Sequence, residues 1–324
     1  MALAQHARPI EEVIQDERTP ERTSRLLQFI PQIKKFGELR GLKPTKNYSH
    51  YVNLNRSAAV WVVTACDSAQ FIPKEWNFPI VGSFPYLGWF DQQDAISYAS
   101  ELKKEGWDVS VRGAGAYSTL GWFRDSILST MISSGDDALG HLVDIVLHES
   151  VHATLYIQDQ SFFNESLANF LAETLTVEFL DQNLGGSSRE KKMYLDQERR
   201  SKDAQRVLHQ AYLDLDSVYQ STLSKEEKLQ KKSEFLKRLQ QDLGLKSEIN
   251  NATLIQYKTY HADGAGFEEL YQACGLDSQL FLSTLAQLGP RSFSSPQQSD
   301  FKEVLSSLVP ECSKQTHPIR ESSS

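Results

Sequence analysis

The segment His148-Glu149-Ser150-Val151-His152 reads H-E-x-x-H, and Asn164-Glu165 follows after a short polar stretch. No other feature constrains the fold as strongly, because the two halves make sense together only on two helices that meet. Side chains four apart on a helix lie one turn above each other, so both imidazoles can reach a single point. Glu149 is displaced around the same helix and can address a water at that point. Glu165 offers a third ligand from the second helix. Two histidines, one glutamate and an open fourth position describe a catalytic zinc site and not a closed structural one.

The surrounding sequence supports helices in both places. Asp136-Asp137 is a start signal with charge suited to a helix N-terminus, and Leu139, Leu142, Val143, Val146 and Leu147 form an apolar stripe running into the motif. The run from Leu142 to Leu147 is apolar almost all round, as in a buried helix. After the motif, Leu167, Phe170, Leu171, Leu175 and Phe179 recur at helical spacing. Ile157 to Ser161 between them is short and polar, as a helix–helix connection should be. The expected chemistry is attack of a zinc-bound water on a carbonyl, with Glu149 as general base and later as proton donor to the leaving amine.

Composition narrows the alternatives. The net charge is -8 and no basic cluster is interleaved with aromatics, so nucleic acid is not expected as a partner. No stretch approaches the roughly 20 apolar residues that span a bilayer, so no transmembrane segment is expected. The opening residues lack a long apolar core and do not read as a secretory signal. Cys66, Cys274 and Cys312 are odd in number and widely spaced, which predicts neither a metal set nor a disulfide framework and fits a reducing compartment. Cys66 closes the β-branched run from Val60 and reads as a buried thiol.

Thr19 and Pro20 suit the start of an N-terminal helix, and Pro31 should kink or split the helical segment. Val60 to Ala65 predicts a buried strand, Asp91 to Lys104 an amphipathic helix, and Trp107 to Arg112 a half-buried strand. Residues 188–243 are rich in charge with apolar residues at helical spacing, and Ser224-Lys225-Glu226-Glu227 is a capping box. Two long antiparallel helices are expected, with solvated charged faces or a surface for a protein partner. The tail is Ser-rich, and disorder is expected beyond about Cys312. The chain thus divides into an N-terminal helical segment (1–46), a catalytic core with a β-sheet and both ligand-bearing helices (47–186), a C-terminal helical region completing the cleft (187–311) and a disordered tail (312–324). The fold class is α+β, mainly helical and zincin-like, with a small mixed sheet and a long charged helical hairpin.

Several strings also carry a resemblance: Pro85-Tyr86-Leu87-Gly88-Trp89-Phe90-Asp91, Ala116-Tyr117-Ser118-Thr119-Leu120-Gly121-Trp122-Phe123, the H-E-x-x-H segment and Phe163-Asn164-Glu165-Ser166. Over roughly Asn47 to Gly289 the chain resembles the bacterial predicted-aminopeptidase family. That family belongs with the gluzincins, whose third ligand is a Glu in an N-E-x-x-A helix. The resemblance implies zinc on His148, His152 and Glu165, Glu149 as base, and a peptide substrate. Well-studied gluzincins place the Glu ligand farther past the second His, which leaves Glu173 as a rival, or as a contact for a substrate amine together with Asp125. Asn169 is either an orienting partner for a ligand His or a solvated helix residue. Peptidases of this type place a donor for the oxyanion downstream of the zinc helices. Tyr260 and His261 are the catalytic candidates for that role, with Tyr257, Tyr117 and Tyr156 as competitors.

The expected function is a zinc-dependent peptidase, an aminopeptidase by resemblance. The alternatives are a zinc endopeptidase, or a non-catalytic zinc-binding interaction protein that uses residues 188–243. Relatives suggest a periplasmic or membrane-anchored location, with the cytoplasm as the alternative.

Overall fold

The computed structural model describes residues 7–78, 82–116, 124–245, 247–258 and 263–316. The chain is mainly helical with small sheets of mixed direction, as the α+β reading expects. It forms two compact units, both discontinuous in sequence: residues 1–57, 115–197 and 261–324 make the first, and residues 58–114 and 198–260 the second.

The first unit is built on the two long helices Ala138–Thr154 and Ser161–Leu184. Leu142, Val143, Val146 and Leu147 of the first, and Leu167, Ala168, Leu171 and Leu175 of the second, are all buried. Leu26, Leu27, Ile30 and Ile33 of the N-terminal helices are buried too. Those N-terminal helices run over Glu21–Leu27 and Ile30–Leu39, so Pro31 falls in the first turn of the second and splits the pair. Thr19 is not the cap; Pro20 occupies that position, and Thr19 instead closes a turn by donating its N–H to the Asp16 carbonyl. Gly140 is obligatory for packing: a Cβ there would lie 2.8 Å from the Cβ of Tyr194. A three-stranded sheet joins Arg8–Pro9, His50–Val52 and Ile127–Leu128, the last pair parallel. An aromatic cluster of Phe163, Phe267, Phe293 and Phe301 ties the second long helix to the C-terminal segment.

Two expectations about the C-terminal part are corrected. Cys274 and Cys312 are joined in a disulfide, with Cα atoms 4.7 Å apart. Spacing in sequence could not reveal this, because the helix Asp263–Ala273 and the helix Val309–Thr316 meet only through the fold. Residues 312–316 are accordingly helical, and Cys312 is fully buried.

In the second unit, the strand Val60–Cys66 is flanked on both sides by antiparallel neighbours, Leu87–Trp89 and Asp108–Ala114. One face meets the helix Gln92–Lys104, where Val63 and Ala65 pack with Ala95, Ala99 and Leu102. The N-terminus of that helix is capped by the Asp91 carboxylate, which accepts from the backbone of Gln93 and Asp94. Cys66 packs with Phe71, Tyr212, Leu215, Tyr219 and Leu236 instead. The last four of these include three from the first helix of the expected hairpin and one from the second, the helices running over Arg189–Tyr219 and Lys225–Asp242. Ser224 and Glu227 form the capping box at the second helix. Not every hairpin charge is solvated. Lys232 is buried and donates to the Asp108 carboxylate (2.5 Å) and to the Ser68 carbonyl (2.9 Å).

Candidate metal centre

The H-E-x-x-H segment lies in the helix Ala138–Thr154, and Glu165 lies in the first turns of Ser161–Leu184. The chain between them is short, and Asp159 takes a left-handed conformation there (φ 59°) to reverse direction. Asn164 is buried and braces this connection: its amide donates to the Ile157 carbonyl at 2.7 Å and accepts from the Ile157 N–H at 2.9 Å. The connection therefore has one defined path, and Glu165, the next residue, is carried toward the histidines.

Three side-chain atoms converge as a result. The Nε2 atoms of His148 and His152 are 3.1 Å apart. Glu165 Oε2 is 3.5 Å from the first and 3.6 Å from the second. A tetrahedral ion held about 2.0–2.1 Å from each ligand spaces its ligand atoms about 3.3 Å apart, so the triangle fits such an ion. The ring planes of the two histidines are close to perpendicular. Among the described residues, this is the group of His, Cys, Asp and Glu side chains with metal-holding geometry. Glu173 is not in it, and Asn169 is exposed on the second helix.

The three groups also interact electrostatically. Desolvation opposes charge on the Glu165 carboxyl, yet the two imidazoles hold it well below the usual carboxylate range. Burial pulls His148 down, but Glu165, with help from Glu149 and Asp144, outweighs it and holds the imidazole up at about 9. Glu149 is buried beside them, with Oε2 free of any hydrogen-bond partner, and its burial raises its pKa against the pull of both histidines. His152 Nδ1 is also buried without a partner.

Tyr260, His261 and Tyr117 lie outside the described residues. Tyr257 lies in the second unit, in a short 3-10 turn over Ile255–Tyr257. Tyr156 is in the first unit, where its buried hydroxyl lacks a partner and the Glu165 charge acts on it. Asp125 is buried, and its backbone N–H donates to the Asn47 side chain. Sequence reasoning missed the bracing role of Asn164, although an Asn directly before a candidate ligand was the available signal.

No helix among the described residues is long and apolar enough to cross a membrane. Neither curated proteins nor solved structures contain a match to this chain. A family model described as "Putative aminopeptidase" matches residues 1–299. That match takes in both helices that carry the His148, His152 and Glu165 cluster and nearly all of the chain, so the protein belongs to this aminopeptidase family.

Proposed function

We propose that this protein is a zinc-dependent aminopeptidase whose metal is held by His148, His152 and Glu165. The observation that carries the reading is the triangle of two Nε2 atoms and one carboxylate oxygen at tetrahedral spacing, with the buried carboxylate of Glu149 beside it. A zinc ion bound there supplies a Lewis acid that acidifies water and polarises a scissile carbonyl.

The protein's own groups do the rest. Glu149 accepts the proton of the attacking water and returns it to the departing amine. Its partner-free oxygen and its desolvated setting suit a base that is not tied up in a structural bond. Glu165 contributes negative charge to the ligand set and restrains both imidazoles. Asn164 holds the backbone that presents Glu165. The Cys274–Cys312 bond supports maturation in an oxidising compartment such as the periplasm.

The test is zinc content by elemental analysis, followed by mass spectrometry of a peptide pool, half free and half N-acetylated. Bound zinc at one per chain with loss of single residues from free peptides is expected. Glu149→Gln should retain the zinc and lose at least about a thousandfold in turnover. Internal cuts in both halves of the pool would make the enzyme an endopeptidase. A pool left intact by zinc-loaded protein would sink the peptidase reading and favour a zinc-stabilised interaction protein.

A further inference from the structure

Thr174 and Glu178 follow Glu165 on the helix Ser161–Leu184, about 14–20 Å farther along its axis and near its opposite face. They line an open cavity of about 710 Å³ within the first unit, and none of its lining residues belongs to the His148, His152 and Glu165 cluster. Local turns bring its walls together. The helix Asp263–Ala273 ends in a left-handed pair, Gly275 (φ 68°) and Leu276 (φ 59°), and the Leu276 N–H donates back to the Tyr271 carbonyl at 3.0 Å. Asp277 then caps the helix Ser278–Leu285 by accepting from the Gln279 and Leu280 N–H groups. Gln279 Nε2 donates to the Leu39 carbonyl at 2.9 Å, which ties this turn to the end of the helix Ile30–Leu39.

Unused hydrogen-bonding groups in the walls point to a ligand. Tyr271 lines the cavity and is buried to 7 % exposure, yet its hydroxyl makes no hydrogen bond to any described residue. A buried phenol normally finds a partner. Burial, then the nearby carboxylates led by Glu178, push its pKa up, so it stays a neutral O–H donor. Arg40 gives Nε and Nη2 to the Glu178 carboxylate. Its Nη1 keeps two N–H donors that no described residue takes up. Acceptors are left over too. Gln272 donates to Oε1 of Glu268, and the two cap N–H groups to Oδ1 of Asp277, which leaves one oxygen unused on each carboxylate.

Charge decides what fits. Glu178, Glu268 and Asp277 are three negative charges against one positive on Arg40. The two unused donors suit a carboxylate, and the excess of negative charge suits two cationic groups. A basic amino acid carries that set, and its alkyl stem can lie on the exposed Leu39 and Leu276 at the rim. The volume is in the range of small-molecule sites and has room for a dipeptide. We propose that this cavity is a second ligand site that takes a basic amino acid or a dipeptide with one basic side chain, its carboxylate on Arg40 Nη1 and the Tyr271 O–H, its cationic groups facing Glu268 and Asp277. Such molecules are products of the peptidase chemistry above, but the site goes beyond that reading and does not rest on it.

The experiment is isothermal titration calorimetry with L-lysine, cadaverine and L-glutamate on wild type, Tyr271→Phe and Glu268→Lys. Lysyl-alanine is titrated into Glu149→Gln, with and without each cavity substitution, so that it is not cleaved. Tyr271→Phe keeps the ring and Glu268 is exposed, so both variants should fold, with Tm within a few degrees of wild type. L-lysine or lysyl-alanine should bind at one per chain, the tighter of the two being the preferred source. Tyr271→Phe should weaken L-lysine about 10-fold or more and leave cadaverine, which lacks the carboxylate, unchanged. Glu268→Lys should weaken both about 10-fold or more, and L-glutamate should bind at least about 10-fold more weakly than L-lysine.

Absence of heat from L-lysine and lysyl-alanine at millimolar concentration overturns the assignment. So does equal affinity for L-glutamate, or an equal loss of cadaverine binding in Tyr271→Phe. Affinities unchanged in both variants would put the ligand elsewhere, at the metal centre. Failure of the peptidase reading looks different: the wild type does not cleave peptides, while L-lysine binding and its dependence on Tyr271 persist.

Discussion

Asn164 and Ile157 exchange two hydrogen bonds, side-chain amide to backbone carbonyl and backbone N–H to side-chain oxygen. The pair spans the turn between the helices Ala138–Thr154 and Ser161–Leu184, and Glu165 comes directly after Asn164. Asn164→Ala leaves the buried Ile157 N–H unsatisfied, while the Ile157 carbonyl keeps the Gln160 N–H, so the cost is about 1–3 kcal/mol. It also frees the turn, so zinc affinity should fall roughly 10- to 100-fold, as when an orienting partner of a ligand is lost. Thermal unfolding and a competitive chelator titration measure the two effects. Unchanged affinity would mean that the helix packing alone positions Glu165.

Glu165 and Glu173 lie on the same helix, and only Glu165 reaches the imidazoles. Glu165→Ala should weaken zinc binding at least about 100-fold, beyond the effect of an orienting residue. Glu173→Gln should keep affinity within a few-fold. The reverse ranking in a zinc titration would move the third ligand to Glu173.

The Cys274–Cys312 bond closes a segment with a sequence separation of 38. Loop-closure entropy sets its contribution at about 4 kcal/mol or less. Cys274→Ala/Cys312→Ala should therefore lower Tm by several degrees, and intact mass before and after reduction should differ by two hydrogens. Equal Tm values for the variant and the oxidised wild type would remove the bond from the account of stability.

Cys66 is fully buried, and burial, reinforced by Asp108 and Asp67, pushes its thiol up to about 12. The thiolate is the reactive form, so native protein should resist iodoacetamide at pH 8 and react only after unfolding. The same shift has a stability consequence. The folded chain keeps this proton between about pH 9 and pH 12 while the unfolded chain releases it, so the contribution is complete below pH 9 and is lost as pH rises toward 12. The slope from this group is at most about 1.4 kcal/mol per pH unit. Cys66→Ala should flatten the alkaline limb of a denaturation series. Rapid alkylation of the native wild type would contradict the burial argument.

The helical elements and the residue types of the candidate site are legible in the amino-acid order alone. Periodicity of three to four residues marks the two long helices, because a helix must bury one stripe of Leu, Val and Ala whatever it packs against. The H-E-x-x-H spacing puts two imidazoles on one face by helical geometry. The buried strand from Val60, the helix from Asp91 and the Ser224 capping box are likewise local, since each depends on neighbours within a few residues. Other features needed the folded chain, because they join residues far apart in sequence. Glu165 is the preferred residue from the Asn-Glu pair alone, but the approach of its carboxylate to both imidazoles depends on the path of the turn that Asn164 braces. The Cys274–Cys312 bond depends on two helices meeting through the aromatic cluster around Phe267. Tyr48 is an ordinary aromatic in sequence. Its burial and backbone conformation arise because the Asp125 segment supplies the hydrogen bond that holds it, and a whole piece of the second unit separates the two in the chain. Local patterns report how a segment buries its own side chains; they carry no information about which distant group will lie opposite.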